Sequence, residues 1–418
     1  MSKRRHAGLR LLWVVVWALG LAGCPSSPTP VDEPIQPPDF VATPETALRQ
    51  VSPRILREFV DDADWASLEL AIERNRTWLR SQPDDLEFVY GTRRVPAARL
   101  LATFNALLGW LAEDPSPKEL ALRLESAFDV AVNVADGTNR MLVTGYYEPL
   151  IAGSLRRTED FPVPVYGPPP DLFRIDLGDF GDEWSGKKVT GLLSGQRLLP
   201  YPDRREIRQS DRLRGREIAW ARDAVDLFFV EIQGSGALSL PDGGELRIGY
   251  AGANGRQYRS IGKLLIDEGK IPREAMSMQA LRSYLASHPE EIERILDYNE
   301  SQVFFRRLDG PPVGSLGVAV TPGRSIAADH SLLPPGALGF LLTEVPGVGD
   351  DGATVAVGRL RRFVVNQDTG GAIRGAHRAD FFWGRGDEAA LRAGLMKQPG
   401  KLYVLIPKAV ATGPGAER

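Results

Sequence analysis

The chain has 418 residues, 43% of them apolar and 25% charged, which suffices for two domains with sizeable cores. A formal net charge of −3 with no long basic run makes nucleic acid an unexpected partner. One cysteine excludes an internal disulfide and a Cys-rich zinc site, and the four histidines (His6, His288, His330, His377) show no metal-ligand spacing.

The first 23 residues read as a secretory signal peptide. Lys3, Arg4, Arg5 and Arg10 precede an apolar stretch, Leu11 to Leu21, that is short for a bilayer span. Leu21-Ala22-Gly23-Cys24 resembles the bacterial lipoprotein box, so Cys24 is the expected lipidation site and the new N-terminus. Stable anchoring needs more than one acyl chain, which such a cysteine supplies. Residues 24–45, rich in Pro, Ser and acids, read as an extended tether.

Helical spacing follows: Trp65, Leu68, Ile72 and Leu79, then segments near 97–111 and 117–128. Asp136-Gly137 has the composition of a hairpin turn between two short strands, the second leading into "MLVTGYYEPL". From Pro149 to about Leu240 prolines, glycines and short apolar runs alternate. "DLFFVEIQGSGAL" (Asp226 to Leu238) reads as a strand ending in a Gly-rich turn. "YRSIGKLLIDEGKI" and "SMQALRSYLASHPEEIERIL" read as helices. After Phe305 short strands separated by Gly and Pro suggest a small closed barrel, with a helix at "DEAALRAGLM".

Asp368-Thr369-Gly370 matches the aspartic-protease triplet, but that chemistry needs two aspartates sharing a proton, and the chain has no second such triplet. Asp380 is followed by Phe381, Phe382 and Trp383. Aromatic neighbours that strip water from a carboxyl favour its protonated form, which suits a general acid.

Together, "HRADFFWGRGDEAALRAG" and "QDTGGAIRG" resemble the C-terminal three-aspartate region of the membrane-bound lytic murein transglycosylase A family. "TGYYEPL", "VEIQGSGAL", "GYAGANGRQYRSIGKLLIDEGKI" and "NESQVFFR" follow the same pattern in order, so the resemblance covers roughly Leu142 to Pro407. It implies a mainly β protein with flanking helices, a double-psi β-barrel domain plus an inserted smaller β-barrel domain, separated by a substrate groove. On that basis residues 46–148 and 309–410 form the discontinuous catalytic barrel, 149–308 the insertion and 411–418 a tail.

The resemblance further implies a peptidoglycan lytic exotransglycosylase. Such an enzyme cleaves the β-1,4 bond between N-acetylmuramic acid and N-acetylglucosamine and leaves a 1,6-anhydro ring. Asp380 is then the single general acid and later base, Asp368 and Asp329 supporting acids, and Thr144, Tyr146, Tyr147, Gln233, Gly234, Ser235 and Gly236 contacts to the sugars. No metal or cofactor is implied. The expected partners are glycan strands and, through Cys24, a membrane: the periplasmic face of the outer membrane, with the inner membrane as the alternative, although no aspartate follows the cysteine to retain it there. A glycan-binding lipoprotein without activity, or a hydrolytic muramidase of the same fold, are the alternatives. Strand alternation sends Tyr146 and Tyr147 to opposite faces, so one of them is a candidate core residue.

Overall fold

The computed structural model describes residues 42–135, 137–184, 187–349, 354–371 and 373–408. The signal segment, Cys24, most of the tether and the tail lie outside them. Six strands close a barrel. Met141–Glu148 runs parallel to Arg378–Arg385, which pairs antiparallel with Ser325–Ala327. That short strand lies parallel to Thr354–Asp368, followed by the antiparallel neighbours Leu338–Val348 and Lys397–Pro407. Lys397–Gly400 then pairs back onto Met141–Thr144 and closes the ring. Closure leaves no free edge around the ring, and alternate residues fill the interior. Val143, Ala379, Phe381, Ile326, Val364 and Leu341 belong to that core.

Leu48–Val51 and Phe128–Asn133 extend the sheet from the far half of Lys397–Pro407. The hairpin expected around Asp136-Gly137 does not form. Phe128–Asn133 and Met141–Glu148 both pair with Lys397–Pro407, at opposite ends of it, rather than with each other. Gly137 does adopt the left-handed backbone of a turn (φ 79°), but a last strand from the chain's far end separates its neighbours.

The predicted helices Trp65–Leu79, Ala97–Leu111 and Pro117–Ala127 are present. Asp64 caps the first by accepting from the Ser67 amide at 2.7 Å, and Ser116 and Glu119 form a reciprocal capping box on the third. Leu68, Ala71, Ile72, Asn75 and Leu79 place one stripe of the first helix in the barrel core.

At Pro149 the chain crosses from Met141–Glu148 into Leu150–Ser154, a strand of a second, six-stranded sheet with its own apolar clusters. The sheet curls until Gly167 approaches the Phe305 carbonyl. A separate three-stranded sheet (Phe173–Asp176, Lys188–Ser194, Arg197–Pro200) packs beside it.

The strand expected over Asp226–Leu238 is instead a helix, Ala224–Gln233, followed by the strand Ser235–Ser239. Asp223 accepts from the Asp226 amide at 2.9 Å to start the helix, and Gly234 (φ 77°) ends it in the left-handed region. The helix buries Val225, Leu227, Phe228, Phe229, Val230 and Glu231, so its sequence lacks a polar stripe and mimics a buried strand.

Candidate active site

One ladder across the barrel wall builds the site. Asp368 pairs with Ala327, Ala327 with Asp380, Asp380 with Thr144, and Thr144 with Lys397. Directly paired residues project to the same face, and so do residues two apart along a strand. Arg378, Asp380 and Phe382 therefore share a face with Thr144, Tyr146 and Asp368. Phe381 and Ala379 point into the core and are fully buried.

Asp380 is surrounded by polar groups. The Thr144 hydroxyl and the Arg378 Nε both donate to its Oδ1, the latter at 2.9 Å, and Arg378 Nη2 donates to Oδ2 at 3.1 Å. Arg378 Nε also reaches Thr144 Oγ1 at 3.2 Å. The Asp380 side chain keeps 14% exposure. The expected aromatic sleeve is only partly there: Phe382 shares the face and lies against Tyr146 (centroids 4.9 Å), whereas Phe381 and Trp383 meet edge to face on the other side.

Asp368 accepts from the Ser315 amide at 2.9 Å and the Thr369 amide at 2.8 Å. Burial pushes its pKa up to about 6, against those hydrogen bonds. Burial likewise raises the Tyr146 phenol, and the charges of Asp368 and Asp380 add to it; among the described residues its buried hydroxyl makes no hydrogen bond. A carboxyl whose folded pKa lies above its unfolded one contributes stability that is fully present below about pH 4 and lost as pH rises through 6. We expect the denaturant midpoint to fall between pH 4.5 and 6.5, and the Asp368→Asn variant to flatten that slope.

Asp329 stands apart. Its Oδ1 accepts from the Ser331 amide and hydroxyl (3.0 and 2.7 Å) and its Oδ2 from the Gly375 amide (2.8 Å). Burial acts to raise its pKa, but these bonds outweigh it and hold the carboxyl below its usual value. This is the geometry of a carboxylate tying two turns together.

Tyr147 is 7% exposed and packs on Ala389, Ala393 and Met278. Its amide donates to Gln233 Oε1 at 3.1 Å, which fixes the end of the Ala224–Gln233 helix against the barrel strand. Gly234 and Ser235 are half-buried at that junction. Gly236 is buried, and a Cβ there would meet Val230 and the Pro149 carbonyl at about 3 Å. Gly145, between Thr144 and Tyr146, has the Ala393 Cα 2.8 Å and the Trp383 ring 2.9 Å from where a Cβ would sit. We expect Gly145→Ala to cost roughly 1–3 kcal/mol by overpacking and to lower activity through its two neighbours; thermal unfolding and turnover measured together check this.

Comparison with known proteins sharpens the picture. Sequence profiles match residues 142–306 as the MltA specific insert domain and 324–406 as the 3D domain. The membrane-bound lytic murein transglycosylase A of Escherichia coli K12 is 36% identical over 316 residues, 75% of this chain and 76% of that protein. This chain belongs to that family. The Vibrio cholerae member is 33% identical over 72% of this chain and 74% of its own length. The crystal structure of a membrane-bound lytic murein transglycosylase from Agrobacterium tumefaciens superposes with a TM-score of 0.71 at 32% identity, covering 86% of this chain and 98% of that one. The structure of E. coli MltA with bound chitohexaose gives 0.63 at 27% identity, covering 90% and 95%.

One residue of the site, Arg378, escaped the sequence reading and was legible, since a residue two before Asp380 on a strand shares its face.

Proposed function

We propose that the protein is a peptidoglycan lytic transglycosylase in which Asp380 is the single acid and base. The observation that carries this reading is the setting of Asp380: a partly exposed carboxyl on a rigid barrel wall, with Arg378 and Thr144 in place to receive the charge that proton transfer leaves behind. Asp380 gives its proton to the glycosidic oxygen as the bond to C1 breaks. The resulting carboxylate, held by Arg378 and Thr144, then takes the proton of the muramic acid C6 hydroxyl as O6 bonds to C1. No water is consumed, and the 1,6-anhydro ring results. The substrate hydroxyl replaces the second carboxylate of an ordinary glycosidase, and holding it over C1 supplies much of the rate through proximity.

An ionised Asp368, on the same face of the barrel wall, supports reprotonation of the acid through its charge. Asp329 acts as a structural tie. Tyr146, Ser235 and the side-chain NH2 of Gln233 face the glycan, with Gly234 allowing close approach and Gly236 making room for Val230 and the Pro149 carbonyl behind it, while Tyr147 supports them from the core. The barrel halves 46–148 and 309–410 and the insertion 149–308 form the two sides of the substrate groove. Chitohexaose in the E. coli relative supports a glycan strand as ligand. No helix among the described residues is long and apolar enough to cross a membrane. The relatives are named "membrane-bound", which supports attachment to a membrane; the anchor in this reading is a lipidated Cys24, and the place the periplasmic face of the outer membrane.

Digestion of purified peptidoglycan, read by mass spectrometry, tests the chemistry. Anhydro-muropeptides are the expected product. Fragments heavier by one water would make water the nucleophile and Asp368 the first candidate for its base, a reading favoured only by the position of Asp368 on the same ladder.

A further inference from the structure

The small three-stranded sheet of the insertion carries apolar side chains on both faces. Leu192 packs inward against the cluster of Tyr201, Ile207, Leu213 and Phe304, and Leu199 lies opposite it. The pleat therefore turns the alternate set outward: Ile175 opposite Val189, Leu193 opposite Leu198, and Phe173 on the same side. Phe173 is 41% exposed, Val189 40% and Leu193 51%. The connection between the first two strands adds Phe180 at 73% and Trp184 at 43%, with the Lys187 ammonium 4.7 Å from the Trp184 ring. An antiparallel sheet ordinarily turns polar residues to water, and this face departs from that pattern.

We propose that this face docks on the lipid surface, entering the boundary between headgroups and acyl chains. Ile175, Val189, Leu193 and Leu198 offer a sugar neither a ring platform nor a hydrogen-bond partner, whereas a lipid surface takes these aliphatic chains together with the rings of Phe173, Phe180 and Trp184. The five exposed side chains present roughly 400–500 Å² of surface, at the fractions quoted and the sizes of such residues. That is well short of the ~800 Å² per partner of a stable protein interface, which argues against a second copy. Residues 172–200 hold four basic (Arg174, Lys187, Lys188, Arg197) and four acidic residues (Asp176, Asp179, Asp182, Glu183), a net charge of zero. Docking is therefore apolar in origin and indifferent to lipid charge. Trp184, Phe180 and Lys187 are residue types that settle at a membrane interface. The inference rests on the reading that Cys24 anchors the chain, and it makes the sheet the second, weak membrane signal that holds the insertion against the bilayer.

Cys24 is the chain's one cysteine and is blocked when lipidated, so a new cysteine takes a label uniquely. The mature lipidated protein carrying Phe180→Cys or Leu193→Cys, each labelled with a solvatochromic dye, is reconstituted in phosphatidylethanolamine vesicles with and without phosphatidylglycerol. The control is Leu122→Cys, an exposed site on the Pro117–Ala127 helix. The expected result is a blue shift and quenching by brominated acyl chains at 180 and 193 but not at 122, unchanged by phosphatidylglycerol or salt. Leu193→Asp should abolish the signal at 180 while the thermal midpoint is kept. Dyes that stay in water on vesicle-bound protein overturn the docking face and leave the anchor standing. Dyes already shielded in detergent-free solution without vesicles point to a protein occupant and overturn it too. Protein that fails to float with vesicles at all removes both anchor and docking face.

Discussion

Replacing Asp380 with asparagine lowers the rate of glycan cleavage by about 10²- to 10⁴-fold, the range that a positioned general acid contributes. The substitution keeps the shape of the side chain. Its amide oxygen still accepts from Thr144 or from Arg378 Nε, so the site's geometry survives. What is lost is the transferable proton and, after transfer, the negative charge that Arg378 stabilises. Initial rates of muropeptide release, measured beside the thermal midpoint and glycan binding, separate these effects. A variant that keeps more than a tenth of the wild-type rate would sink the single-acid mechanism. Asp368→Asn should lose less, because its carboxyl is held by the Ser315 and Thr369 amides and reaches the reaction only through its charge. If the two variants are equally dead, Asp368 takes part in the chemistry directly.

Much of this site could be read from the chain because its parts lie on strands. "TGYYE" and "RADFFWGR" are extended segments in which every second side chain shares a face, so the grouping of Thr144 and Tyr146, and of Arg378, Asp380 and Phe382, follows from the pleat once the two strands are neighbours. Their adjacency was not readable. It joins residues some 236 positions apart in the chain, and only the resemblance of whole motif blocks to the family brought them together. Local periodicity also misled in one place. The Ala224–Gln233 helix is buried nearly all round, so nothing in "AVDLFFVEIQ" distinguishes it from a core strand, and the capping Asp223 and terminating Gly234 were the signals to weigh. The aromatic run after Asp380 misled in another way. Alternation splits it, so that a single ring, Phe382, faces the carboxyl while Phe381 fills the barrel.

The second large effect lies far from the chemistry. Asp61→Ala destabilises the barrel by roughly 3–5 kcal/mol, the cost of stripping a buried ion of its partner. Arg324 heads the fully buried side chains by size, and both it and the Asp61 carboxylate have 0% side-chain exposure. Its Nη1 donates to Asp61 Oδ2 at 2.6 Å and to the Phe363 carbonyl at 3.0 Å. Nη2 reaches the Asp64 carbonyl at 2.7 Å and Nε the Ser67 hydroxyl at 2.9 Å. Asp61 in turn accepts from the Phe363 amide at 2.8 Å and the Ala63 amide at 2.9 Å. The pair thus rivets the start of the Trp65–Leu79 helix to the strand that carries Asp368. In Asp61→Ala the guanidinium keeps its neutral acceptors but loses its countercharge where water cannot replace it. The neighbouring Arg362–Asp62 pair, with 21% and 29% side-chain exposure, should be worth only about 0–1 kcal/mol as an ion pair. Denaturant unfolding of both variants, with the slope checked for constancy, measures the difference. Adding Arg324→Leu to Asp61→Ala should recover part of the loss, because the stranded charge goes with it. Stability of Asp61→Ala within 1 kcal/mol of wild type would mean that water or a rearranged side chain reaches Arg324, and that the rivet is not what holds the helix to the barrel.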